Sequence, residues 1–105
     1  MDIYELQKRA NEIRDLYDTH NLKERGIIWT RLQLAQGFVG DVGDLQKIVM
    51  AKEGLREMDD VDAKLKHELA DCLWSVLVLA ENYNVDIETA FLQTMNGLEK
   101  RLVSD

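Results

Sequence analysis

Leu65-Lys66-His67-Glu68-Leu69-Ala70-Asp71-Cys72-Leu73-Trp74-Ser75-Val76-Leu77-Val78-Leu79-Ala80 is the stretch that decides the fold of this chain. Leu65, Leu69, Cys72, Leu73, Val76 and Ala80 recur at helical spacing and form a main apolar face. At about 100° per residue, Trp74 and Val78 point to the opposite side. A helix that is apolar on two sides is buried on two sides. The nearly apolar part, Leu69 to Ala80, falls short of the roughly 20 residues of a membrane span. The pattern predicts a central helix of an all-α protein over about residues 60–83, with no membrane partner.

Outward from this helix the chain reads the same way. A second helix is predicted over 30–53: Thr30 and Gln33 have the form of a capping box, and Gly54 is placed to end it. Its stripe is Leu34, Phe38, Leu45, Ile48 and Val49, with Leu32, Val39 and Met50 lying off it. A first helix is predicted over 2–18, on Ile3, Leu6, Ala10, Ile13 and Tyr17, with Asp2 and Glu5 at its start. The polar stretch Thr19 to Trp29, which carries Gly26, reads as a connection. A fourth helix is predicted over 86–102, capped by Asp86 and striped by Ile87, Phe91, Met95, Leu98 and Leu102. Proline is absent, and no segment alternates like a strand. The expectation is one domain over 1–105, a four-helix bundle. Two central helices that are apolar on both sides exceed what one short chain covers, so a homo-oligomer is expected.

The chain holds 13 basic and 20 acidic residues, a net charge of −7, and 46% hydrophobic residues. Such an acidic domain has no general grip on a phosphate backbone, so a nucleic-acid polymer is not the expected partner. A small phosphate ligand held through a metal ion is still open. The single cysteine, Cys72, excludes an internal disulfide and a Cys-rich zinc site, and reads as a small core residue. No segment near the start has the order of a secretion signal, which sets a cytoplasmic expectation.

The chemistry sits in carboxylates. Asp41 projects inside the apolar stripe of the second helix, and Asp44 lies on its edge. Glu68 and Asp71 stand three apart on an edge of the third helix, as neighbours on its surface. A carboxylate on a core-facing surface is costly unless paired, protonated or bound to a cation. Two such pairs facing one cleft repel each other, and a divalent cation relieves them. All-oxygen ligation points to Mg²⁺, or Mn²⁺, and to a phosphate ester or anhydride as substrate. A di-iron bundle would need Glu-x-x-His pairs, which the sequence lacks. Gly40 and Gly43 flank Asp41 and allow two readings: close helix packing, or room beside the carboxylates. His20 and His67 read as surface histidines.

The run Phe38-Val39-Gly40-Asp41-Val42-Gly43-Asp44-Leu45 resembles the Val-Gly-Glu-Val-Gly-Glu-Leu motif of the MazG-like all-α nucleoside triphosphate pyrophosphohydrolases, which include dCTPase-like members. Glu68-Leu69-Ala70-Asp71-Cys72-Leu73-Trp74 resembles their second motif. The resemblance runs from about Trp29 to Arg101. It implies Mg²⁺-dependent hydrolysis of (deoxy)nucleoside triphosphates to the monophosphate and pyrophosphate, in a homodimer or homotetramer. It also implies Asp41, Asp44, Glu68 and Asp71 as metal-binding and catalytic residues. Both first-motif glutamates are aspartates here, one methylene shorter. A catalytically weak nucleotide-binding or regulatory module is therefore the alternative, and the general base is unassigned. Asn96, Lys100 and Arg101 resemble the basic end of the family's last helix, which helps hold phosphates. Lys47 and Lys64 lie near the carboxylate pairs as further phosphate contacts, or are ordinary solvated lysines. Trp29 is placed to stack on a base or to anchor the bundle.

Overall fold

Four helices account for nearly all of residues 1–103, which the computed structural model describes: α1 (Ile3–Arg25), α2 (Arg31–Lys52), α3 (Val61–Asn82) and α4 (Ile87–Val103). The capping signals act as read. Asp2 accepts from the Glu5 N–H, and Thr30 and Gln33 close a reciprocal box. Asp86 accepts from the Thr89 N–H at 3.2 Å, a bond that heads the causes holding its carboxyl below the ordinary range.

The first helix departs from expectation. It runs seven residues past Asp18 to Arg25 and stops at Gly26, whose φ of 70° suits glycine. The segment is polar because solvent surrounds it. Leu, Lys, Glu and Arg sustain a helix without a buried face, and nothing before Gly26 breaks it.

α2 and α3 form an antiparallel hairpin clamped at both ends. Lys52 Nζ meets Asp62 Oδ1 at 2.6 Å at one end. At the other, Arg31 donates to the Asn82 carbonyl at 3.0 Å and lies over the Tyr83 ring. These clamps bring the middle of α2, with Asp41 and Asp44, level with Glu68 and Asp71 on α3.

α1 packs across the other side of α3. The best-buried cluster is Ala10, Leu77 and Val78, with Ile3, Leu34, Trp74 and Ile87 against it. Trp74 Nε1 donates to the Ala10 carbonyl at 3.0 Å, and the Trp74 and Tyr17 rings meet edge to face. The expected two-sided burial of α3 is thus realised in part: the side of Val78 is the better packed, and on the main face Ala80 is buried and Leu65, Cys72 and Val76 are half-buried. Val78 is 1% exposed, while Leu69 and Leu73 of the main apolar face are exposed.

α4 buries no residue, although its stripe is apolar; Phe91, Met95 and Leu102 are exposed. Its start is tethered by the Tyr4 hydroxyl, which donates to Asp86 at 3.2 Å. The protomer is therefore an open arrangement, not a closed four-helix bundle. Its radius of gyration is 16.8 Å, against about 13 Å for a compact chain of this length. Its accessible surface is 8126 Å², against about 6,000 Å² expected for the mass.

Candidate functional site

Three of the four predicted carboxylates converge. Asp41 and Asp44 from α2 and Glu68 from α3 each offer an oxygen, all within 4.8 Å of one another. Glu68 Oε1 is shut off from solvent and has no hydrogen-bond partner. Burial pushes the Glu68 carboxyl above its ordinary value, and Asp41, Asp71 and Asp44 push it further. Asp41 is raised in the same way, by burial and then by Asp71 and Asp44. A buried, unpaired carboxylate oxygen facing two more acids is unstable without a cation. Oxygens on one octahedral Mg²⁺ lie about 3 Å apart when adjacent and about 4.2 Å when opposite, so side-chain closure of up to about 2 Å brings these onto an ion. The donor set is all oxygen, the ligand type of a hard divalent cation. The residues present fit such an ion.

Asp71 is not one of this trio, but it lies close enough for its charge to raise both Asp41 and Glu68. His67 Nε2 lies 3.1 Å from its Oδ2, so His67 has a partner that the sequence did not reveal. Cys72 lies beside the acids, and burial with Asp41, Glu68 and Asp71 raises its thiol. A thiol held protonated is a packing group and no nucleophile.

The carboxylates lie between two clefts. A wide one of about 580 Å³ opens between α1, α2 and α3, with Asp41 and Asp71 on its wall. Its other walls include the rings of Tyr17, Trp29 and Trp74, with Arg14, Asp18, Asn21 and Arg25. Trp29 lies 39% exposed against Gly37, where an added Cβ would stand 3.3 Å from the indole. Gly37, one turn before Asp41, thus gives the ring its seat. A smaller cleft of about 480 Å³ is lined by Asp44 and Glu68 together with Lys47, Lys64 and His67.

Trp29 lines the wide cleft with Asp41 and Asp71, and Lys47 and Lys64 line the smaller one with Asp44 and Glu68. Asn96, Lys100 and Arg101 line neither: they are exposed on α4. The reason is the turn after α3, which leads α4 away from the α2–α3 hairpin. Gly40 and Gly43 have open space where a Cβ would stand, so close packing within the protomer does not explain them. Arg14, Tyr17, Asp18 and Gly37 were missed. Arg14 and Asp18, four apart beside Ile13 and Tyr17, were the available signal.

The family model of the MazG nucleotide pyrophosphohydrolase domain matches residues 33–102, and the chain belongs to that family. No curated protein and no solved structure matches it. The match covers α3 and most of α2 and α4, and so includes all four acids. It begins after α1, which supplies one wall of the wide cleft. Among the described residues no helix is long and apolar enough to cross a membrane.

Proposed function

We propose that this chain hydrolyses (deoxy)nucleoside triphosphates to the monophosphate and pyrophosphate, with Mg²⁺ or Mn²⁺ held by Asp41, Asp44 and Glu68 and with Asp71 beside them. The observation that carries the reading is the buried, unpaired Glu68 oxygen facing two aspartates from the neighbouring helix. A divalent ion there would screen phosphate charge and polarise the attacked phosphoryl group. The chain's own residues divide the substrate. The aromatic walls of the wide cleft suit a nucleoside, and Lys47 and Lys64 in the smaller cleft suit the outer phosphates. His67 and Asp71 form a pair at the junction that can take a proton from water.

A homodimer or homotetramer completes the proposal. The protomer carries about 2,000 Å² more surface than its mass requires. Exposed Leu69 and Leu73 and the stripe of α4 supply an apolar face. A second copy is also the route by which Asn96, Lys100 and Arg101 would approach a site. The cytoplasm is the proposed compartment.

The test is a panel of nucleotides with Mg²⁺, read as pyrophosphate against orthophosphate. Pyrophosphate from at least one nucleotide is expected, lost in Asp41→Asn and Glu68→Gln. Nucleotide binding without turnover would favour the non-catalytic module, for which the shorter first-motif aspartates argue.

A further inference from the structure

Arg14 projects from the middle of α1 into the wall of the wide cleft, and its side chain is 13% exposed. Its Nε donates to both Asp18 oxygens, at 3.0 and 3.1 Å, and its Nη2 donates to the Trp29 carbonyl at 2.9 Å. Nη1 has no partner and no contact with solvent. A guanidinium only donates, so what Nη1 lacks is an acceptor. Buried donors without one are few in native proteins, and each calls for a reason. Here the reason lies beside it: a cleft walled by Tyr17, Trp29 and Trp74 that also reaches the carboxylates at Asp41 and Asp71.

We infer that Arg14 reads the nucleobase, and that the chain favours nucleoside triphosphates whose base carries a ring carbonyl. This rests on the proposed function, which places the phosphates at the carboxylates and the nucleoside among the rings. Asp18 already balances the Arg14 charge, so the pair acts as an oriented neutral donor. A base carbonyl matches that donor, whereas a triphosphate calls for cations outside any ion pair, such as Lys47 and Lys64 in the other cleft. Guanine, hypoxanthine, uracil, thymine and cytosine present a carbonyl; adenine does not. Nη1 is covered while the cleft is empty. Arg14, Tyr17 and Trp29 line the same cleft, and both rings are exposed to it, so a base seated between them brings its edge to the guanidinium.

Inosine and adenosine nucleotides are the cleanest probes, because hypoxanthine and adenine differ mainly in an oxo against an amino group at one ring position. With Mg²⁺, the wild-type chain is expected to turn over inosine triphosphate with a kcat/KM about tenfold or more above that for ATP. This is the scale of one hydrogen bond to a charged donor, and it is expected chiefly in KM. In Arg14→Met that ratio falls toward one. The ratio is the readout, so a general loss from a disturbed α1 cancels. A wild-type ratio of one or below overturns the proposal, as does an unchanged ratio in the variant. The wild-type comparison decides even if Arg14→Met does not fold. A parallel titration of inosine and adenosine into the metal-free chain separates the two proposals. Inosine-selective binding without pyrophosphate release keeps the base reader and refutes hydrolysis. Pyrophosphate release with no preference between the two bases does the reverse.

Discussion

Replacing Glu68 by glutamine should stabilise the protein when metal is absent and destabilise it relative to wild type when metal is present. The side-chain shape is kept while one of three converging charges is removed. At the 4.8 Å limit of the cluster, each pair of charges repels by about 0.9 kcal/mol in a water-like dielectric and about 3.5 kcal/mol at an effective value of 20. Glu68 belongs to two such pairs; Asp44 is exposed, so the lower figure applies, and salt screening leaves a relief of about 1 kcal/mol. The new amide can also donate to Asp41 or Asp44. For a domain of this size that is a rise in Tm of about 4–8 °C at pH 7 after metal is removed. Saturating Mg²⁺ reverses the order: at about a hundred times its Kd it adds about 2.7 kcal/mol to the wild type. The glutamine variant, with a weaker site, gains less. Calorimetric melting at one fixed protein concentration, with and without Mg²⁺, reads both effects. A variant no more stable than wild type without metal, together with equal gains in Mg²⁺, would refute the idea of strained acids awaiting a cation.

Asp41 and Glu68 titrate above their ordinary values of 3.8 and 4.5. Folding therefore favours their protonated forms. Without metal, the stability they contribute is lost as pH rises from those values through the raised ones. Stabilisation by Mg²⁺ grows over the same interval, because the ion takes the charged forms. Melting curves of wild type against an Asp41→Asn, Glu68→Gln double variant isolate this dependence, and parallel pH profiles would count against it. Gly37→Ala should gain about 1 kcal/mol of helix propensity while pushing Trp29 off its seat. The expected result is a shifted tryptophan emission and a KM raised several-fold at similar kcat; an unmoved KM would remove Trp29 from the base site. Sedimentation at micromolar concentration should show a dimer or tetramer, and Phe91→Glu or Leu73→Glu should dissociate it. A wild-type monomer would leave the apolar stripe of α4 unexplained.

The helices and their ends were legible because their causes are local. Thr30 with Gln33, Asp86 and Gly54 act within a turn of themselves, and apolar spacing marks α2 and α3. The exception, the extension of α1 to Arg25, follows from the same locality. A solvated helix shows no apolar period, and only Gly26 marks its end. The carboxylates were legible too, since an acid such as Asp41 inside an apolar stripe is a conflict visible in one dimension.

Pairing between helices was not legible, because the energy of packing depends on contacts between residues far apart in sequence. The sequence by itself determined four helices, their caps and the acids of α2 and α3. Tertiary structure alone decided that α3 turns Val78 rather than Leu73 into its best-packed side and that Asp71 pairs with His67 while Glu68 is left unpaired. It also decided that α1 brings Arg14 to the wall of the wide cleft, and that α4 leaves the protomer with its apolar stripe uncovered. Helix formation needs partners three or four residues away, whereas a site needs partners that only the assembled helices bring within a few ångströms.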